Sequence, residues 1–443
     1  MEILIKAAQL ILSLSILVVL HEMGHFLPAK WFKTRVEKFY LFFNPGFSLF
    51  KKKIGETEYG IGWLPLGGYV KISGMVDESM DTEALKQEPK PYEFRSKPAW
   101  QRLIIMIGGV TVNLILGFLI YIMIMFVWGE NYIDNSDVTY GVHIDDKIAS
   151  FGFEEGDQIY SLNGEDIPEY NSIKRYIFSN KVSEVGVVRN GEKSIVKVPA
   201  DFGQVLIDSN VREPFGMRFP CVIGLLEADK PAIKAGMQIG DSIVAVNGVK
   251  AIYFGDVAKE ITREKNSEIE LTFYRNGKEM NVSLTTNETG RIGFGASSPT
   301  ERSDFNFQHK SYSFLKAIPA GFNEAKEVLQ GYVLGLRFLF SKSGATQVGS
   351  FLTIGSIFDA GWDWRIFWSN TAFLSLILAF MNLLPIPALD GGHVVFLLYE
   401  IVAGRPAPQK FLERAQMVGI VLLLSLMVYA LGNDIYRAIF GGF

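Results

Sequence analysis

Leu17-Val18-Val19-Leu20-His21-Glu22-Met23-Gly24-His25 closes an apolar run that begins at Ile3, so an HExxH motif lies inside a stretch long enough to cross a membrane. On a helix, His21 and His25 fall four residues apart on one face and can share a metal ion. Glu22 then stands beside them as general base. The plain alternative is a chance match in a hydrophobic helix. The chain has only five histidines, which makes such a match rare, and ionisable side chains in hydrocarbon are costly unless they are used.

A zinc site of this kind needs a third protein ligand, which soluble zincins take from a His or Glu a little downstream. Residues 26–45 hold no second histidine, and Glu37, between Arg35 and Lys38, reads as part of a solvated loop. The other candidate is distant, in Asn382-Leu-Leu-Pro-Ile-Pro-Ala-Leu-Asp-Gly-Gly-His393. Asp390 closes an apolar stretch running from Ile366, where an unpaired carboxylate would be costly. Pro385 and Pro387 break the helix there and can turn Asp390 inward. The same Asp-Gly-Gly could also be a plain turn.

HEMGH at the end of a first span and NLLPIPALDGG in a later one resemble the site-2 protease family of intramembrane metalloproteases. The similarity is closest to its bacterial branch, of regulator-of-sigma-E type. Pro65-Leu-Gly-Gly-Tyr-Val-Lys71, Trp100-Gln-Arg102 and the Gly-rich stretch from Gly108 to Asn113 agree with that branch, so the resemblance covers essentially the whole chain. Gly108-Gly-Val-Thr departs from the Gly-Pro pair of that span, which touches helix packing more than chemistry. The resemblance implies Zn²⁺ held by His21, His25 and Asp390, with Asn382 facing the site to hold substrate backbone or the oxyanion. By itself Asn382 could equally cap a broken helix. His393 is the other histidine near Asp390, and the resemblance favours Asp390.

Hydrophobic residues make up 49% of the chain and charged residues 20%, a mixture that fits neither a bare helical bundle nor an ordinary globular domain. Four apolar stretches approach spanning length: Ile3 to Leu27, Leu103 to Trp128, Ile366 to Leu384, and a shorter one at Met417 to Leu431. Lys6 and Gln9 interrupt the first and no small-residue cleavage site follows, so it reads as a retained helix rather than a signal peptide. Lys30, Lys33, Arg35, Lys38, Arg95, Lys97 and Arg102 flank the loop between the first two spans, whereas residues 129–146 hold no Lys or Arg. The first loop is therefore expected in the cytoplasm and residues 129–364 outside. Both halves of the metal site then come late in inward-running spans and can meet, provided that residues 313–342, rich in Lys and Glu, do not cross.

The outer region repeats itself. Gly152-Phe-Glu-Glu-Gly-Asp-Gln-Ile-Tyr-Ser-Leu-Asn-Gly164 aligns with Gly236-Met-Gln-Ile-Gly-Asp-Ser-Ile-Val-Ala-Val-Asn-Gly248, and Arg189-Asn-Gly191 with Arg275-Asn-Gly277. Asn-Gly steps between β-prone runs signal hairpins, and a duplicated unit of this length is a small domain. The pattern resembles PDZ domains, which bind extended peptide at a sheet edge. Spacers without a ligand fit the sequence equally well. Cys221 is the one cysteine, so no intrachain disulfide forms, and a net charge of -4 without a dense basic stripe argues against nucleic acid as partner.

The expected architecture is a polytopic α-helical membrane protein with four transmembrane helices and two tandem extracytoplasmic PDZ-like β-rich domains. Residues 1–30 form the first transmembrane helix and carry HEMGH, and 31–101 a cytoplasmic loop with a membrane-associated β-hairpin. Residues 102–130 form the second helix, 134–212 and 215–300 the PDZ-like domains, and 313–345 an amphipathic surface helix. Residues 364–393 form the third helix, carrying LDGG, and 410–434 the fourth. Cleaving a spanning helix requires it to unwind, and the hairpin, which ends in Gly67, Gly68 and Tyr69, can offer an edge for strand pairing. The resemblance implies single-pass membrane protein substrates in a lipid bilayer, already trimmed by a first protease, such as anti-sigma factors or signal-peptide remnants. It also implies a bacterial inner (plasma) membrane, with the metal site toward the cytoplasm. A membrane-anchored scaffold without catalysis, and a prenyl-protein protease completed by a Glu, are the competing classes. The sequence leaves the oligomeric state open.

Overall fold

The computed structural model describes residues 2–65, 67–75, 88–209, 211, 213–339 and 349–440. The described residues divide into two compact units, one of residues 1–129 with 311–443 and the other of residues 130–310. Among the described residues, four helices are long and apolar enough to span a membrane: Glu2–Trp31, Ala99–Val127, Trp364–Leu383 and Gln409–Tyr436.

The first unit opens with α1 (Glu2–Trp31), unbroken although Pro28 lies in its last turn. A four-stranded sheet follows, of β1 (Val36–Leu41), β2 (Phe50–Ile54), β3 (Thr57–Ile61) and β4 (Tyr69–Ile72), in the order β2-β3-β1-β4. The hairpin of β2 and β3 turns at Gly55 and is half of a larger sheet. β1 lies parallel to β3 and antiparallel to β4, so Glu37 sits on a strand and not in a loop. Val36 and Tyr40, fully buried on one face of β1, draw this charged segment into the core. β4 is an edge strand held near α1, and a side chain on Gly68 would meet Val18 at 2.6 Å. α2 (Ala99–Val127) packs against α1 through glycines, where Gly24 and Gly108 bring the two backbones into direct contact.

The second unit contains two copies of one β-rich fold, closed by β5 (Glu130–Ile133) pairing with β18 (Phe307–Lys310). The first copy has β6 (Val142–Ile144), α3 (Asp146–Ala149), β7 (Gln158–Leu162), β8 (Glu165–Asp166), α4 (Asn171–Ser179), β9 (Glu184–Arg189), β10 (Glu192–Lys197), α5 (Phe202–Asp208) and β11 (Phe215–Met217). The second has β12 (Ile223–Leu226), α6 (Pro231–Lys234), β13 (Ser242–Val246), β14 (Val249–Lys250), α7 (Phe254–Arg263), β15 (Glu268–Arg275), β16 (Lys278–Thr285) and β17 (Phe294–Ala296). Sheets β10-β9-β7-β8 and β14-β13-β15-β16 match in order, as do the pairs β6-β11 and β12-β17. Because β11 pairs with β6, residues 215–217 complete the first copy, and the boundary falls after them rather than at 212–215.

The repeated Gly-Asp motif has a physical reason. Asp157 and Asp241, both 1% exposed, accept paired hydrogen bonds from Arg189 and Arg275 and cap the turn amides of Glu154 and Gln238. The Asn of each Asn-Gly, Asn163 and Asn247, sits at positive φ, and its Oδ1 accepts from the neighbouring strand. The two copies meet at Arg218, which lies 3.1 Å from Asp256 and over the Tyr253 ring, while Lys259 pairs with Asp146 at 2.7 Å. His143 pairs with Glu155 at 2.8 Å, and that hydrogen bond raises the imidazole above its usual value.

The chain returns to the first unit in α8 (Phe314–Leu339), α9 (Phe351–Ser356), α10 (Trp364–Leu383), α11 (Asp390–Ala403) and α12 (Gln409–Phe440). The amphipathic helix expected at 313–345 is seen as α8 up to Leu339, and residues 340–345 lie outside the described residues. α8 does not stand apart as a surface helix. It runs lengthwise along α2, with Phe314 against Phe126, Phe322 stacked on Phe118, and Ala325 fully buried. Its Tyr332 reaches Phe373 and Phe380 of α10. Gly321 permits this approach, since a side chain there would meet the Tyr121 backbone at 2.7 Å. The expected third helix through 393 is in fact two. α10 stops at Leu383, and the segment carrying Pro385 and Pro387, with Ala388 at φ 83, precedes a separate helix starting at Asp390. The fourth span, short by sequence, is a helix of 32 residues.

Candidate metal centre

His21 and His25 stand on consecutive turns of α1 with their Nε2 atoms 3.2 Å apart, and Asp390, at the start of α11, brings Oδ2 to 3.3 and 3.4 Å from them. The helix break before Asp390 is what allows this, because it frees the first turn of α11 to face α1. These three donors lie within 4.8 Å of one another. His143, Glu155 and Asp256 form the other such group among the described residues, but Arg218 already engages both of its carboxylates.

α2 shapes the centre from the other side with residues spaced one turn apart. The Ile105 carbonyl lies 2.8 Å from His25 Nδ1, and because a carbonyl only accepts, Nδ1 carries the proton and Nε2 presents its lone pair. Gly109 faces both imidazoles. A side chain there would overlap His25 Nε2 and come within 2.7 Å of His21 Cε1 and 2.8 Å of His25 Cε1. Asn113, 1% exposed, places its amide 3.2 Å from His21 Nδ1. The sequence reading missed Ile105 and Gly109. A glycine inside an apolar span was the available signal, since small residues mark close helix approach.

Glu22 interacts electrostatically with His21, His25 and Asp390 and accepts a hydrogen bond from the Val70 backbone of β4. Gly68 lies beside it, where a Cβ would sit 3.4 Å from Glu22 Cγ. Tyr69 stacks on Tyr40 and donates to Asn44, and Gly67 rests against Phe43. Asn382 lies 3.5 Å from His21 Nε2, and His393, three residues beyond Asp390 on α11, is outside the three-donor group.

The residues present fit a divalent transition metal. Asp390 Oδ2 is buried without a hydrogen-bond partner beside two imidazole nitrogens, Gly109 leaves open the space in front of them, and two nitrogens with one carboxylate oxygen are donors that zinc accepts. A helical membrane protein with this centre falls in the class of membrane metallohydrolases. The pattern of peptidase family M50 matches residues 9–426, and the chain belongs to that family. It is a membrane metalloprotease. It is 28% identical over 469 aligned positions to a regulator of sigma E protease of Haemophilus influenzae, an alignment spanning 99% of this chain and all of that protein. It is 27% identical to protease RseP of Yersinia pestis, over 99% of this chain and all of that protein. It is also 28% identical to a putative zinc metalloprotease of Borreliella burgdorferi, over 96% of this chain and 97% of that protein.

Proposed function

We propose that this chain is an intramembrane zinc protease that cuts the membrane-embedded segment of single-pass proteins after a first protease has shortened them, as in regulated intramembrane proteolysis. Anti-sigma factors and signal-peptide remnants are the substrate types in view. The carrying observation is the convergence of His21 and His25, on a helix of spanning length, with Asp390 at the start of the shorter α11, beside Glu22. These three residues hold Zn²⁺, the metal named for several relatives. When bound, the ion supplies Lewis acidity, polarising a scissile carbonyl and making a neighbouring water more acidic.

Glu22 removes a proton from the attacking water and returns it to the leaving amine. Its hydrogen bond from the Val70 backbone holds the carboxylate in line with the edge of β4. The segment Gly67, Gly68 and Tyr69 leads into that edge, so a substrate helix, once unwound, can pair with it as an added strand next to the base. Asn382, close to His21, is placed to hold substrate backbone or the developing oxyanion. The two β-rich repeats are PDZ-like and act as a filter on the outer parts of substrates. Orientation follows the basic residues, with the repeats outside a bacterial inner membrane and the metal centre toward the cytoplasm.

The test uses the β5-β18 ladder, which brings Ile133 opposite Phe307 and so allows the repeats to be excised with a short flexible closure. Intact and pre-trimmed versions of one single-span substrate are given to full-length and excised enzyme in the same membranes. The full enzyme should cut only the trimmed form and the excised enzyme both. Refusal of the intact form by a folded, zinc-loaded excised enzyme would remove the filter role. Failure of both enzymes to cut either form would remove the protease reading for these substrates.

A further inference from the structure

The metal-centre reading gives each imidazole a defined task, and α2 meets the two in different ways. His25 has its proton fixed by the Ile105 carbonyl. His21 faces an amide instead, and an amide can either donate or accept. With Asn113 Nδ2 toward His21 Nδ1, the nitrogen at 3.2 Å would donate, and His21 would have to carry its proton on Nε2. That is the atom that points at His25 and Asp390. A protonated Nε2 has no lone pair for a metal. In the same orientation Asn113 Oδ1 is buried without a partner, so no other hydrogen bond holds the amide that way round. A half-turn of the amide puts Oδ1 on His21 Nδ1–H and frees Nε2.

We infer that Asn113 is the positioning residue for His21, its side-chain carbonyl accepting from Nδ1–H and so fixing both the tautomer and the ring plane in which Nε2 meets the metal. Three features of the chain serve this role. Asn113 lies two turns from Ile105 on α2, so one helix face supplies the outer partner of both histidines. Ser375 of α10 donates to the Asn113 backbone carbonyl at 2.7 Å with both residues buried, which anchors that turn of α2. Gly109 between them presents no side chain of its own to either ring. Outer partners of metal-bound histidines are worth about 10- to 100-fold in metal affinity.

The inference rests on the His21, His25 and Asp390 reading, and the experiment separates the two. Full-length protein in detergent is titrated with Zn²⁺ against a competing chelator, for wild type, Asn113→Leu, Asn113→Asp and His21→Ala. The cobalt(II) absorption spectrum is recorded alongside. Asn113→Leu keeps the volume and removes the acceptor, so its Zn²⁺ Kd should rise about 10- to 100-fold and its cobalt bands should shift as the ring loses its orientation. Asn113→Asp keeps an acceptor and removes the donor, and its Kd should stay within about threefold of wild type, since carboxylates fill the same role in other zinc sites. Wild-type affinity in Asn113→Leu, or an Asn113→Asp as weak as Asn113→Leu, overturns the inference. Should Asn113→Leu fail to fold, Asn113→Asp decides alone by retaining or losing affinity. Undiminished binding by His21→Ala would instead overturn the underlying metal-centre reading.

Discussion

Replacing Gly109 by alanine should cost the enzyme its metal while leaving its fold nearly unchanged. In an exposed helix Gly→Ala stabilises by about 1 kcal/mol, so the backbone alone predicts a gain. At position 109 the new Cβ overlaps His25 Nε2 most closely and also lies 2.7 Å from His21 Cε1 and 2.8 Å from His25 Cε1. Ordinary carbon contacts are about 3.5 Å, so the imidazoles or the helices must yield by at least roughly 0.8 Å. Metal sites tolerate only about 0.2 Å in ligand distance, and the displacement exceeds that fourfold. Overpacking of this size costs about 1–3 kcal/mol, which, if it falls on the metal-bound form, lowers zinc affinity about 5- to 150-fold. The assay is zinc affinity by chelator competition together with cleavage of a single-span substrate, and Gly432→Ala serves as control because its Cβ would meet nothing within 4 Å. Wild-type zinc affinity and activity in Gly109→Ala would refute the close fit of α2 around the centre.

Other expectations follow from the same geometry. Glu22→Gln should lower proteolysis by about 10²- to 10⁴-fold while zinc stays bound, because only the proton carrier is lost; cleavage at the wild-type rate would reject Glu22 as base. The His143–Glu155 pair gives the outer unit a pH signature. His143 is raised above 6.5, so its contribution is complete below that value and fades as pH climbs through the folded-state value. Glu155 is lowered below 4.5, so its share is present above 4.5 and fades as pH falls through the folded-state value. Urea unfolding of wild type and His143→Gln from pH 5 to 9 should therefore show the largest difference near pH 5 to 6 and convergence at high pH, and a constant difference would contradict the pairing.

Much of the centre was readable because its chemistry is local in sequence. Two histidines at i and i+4 can be recognised without a fold, and a carboxylate in an apolar stretch points to a partner even when that partner is more than 360 residues away. The proline pair announced a break before Asp390, although not that a new helix would start at Asp390 itself. What α2 contributes was hidden, since Ile105 acts through a carbonyl that every residue has, and Gly109 through the side chain it lacks. β1 was hidden by its charges. Glu37 and Lys38 look solvated, and only the alternate residues Val36 and Tyr40 are buried. The repeat was visible as a motif, but its boundary depends on β11 pairing back with β6, a contact that a linear alignment does not carry.

Zinc content of the purified full-length protein tests the central assignment most directly, comparing wild type with Asp390→Ala and His393→Ala. The account predicts zinc in wild type and in His393→Ala, and loss of most of it in Asp390→Ala, because the carboxylate whose Oδ2 lies 3.3 and 3.4 Å from the two imidazoles is removed while its neighbour on α11 is not a ligand. Equal zinc in wild type and Asp390→Ala, or loss only in His393→Ala, would contradict it.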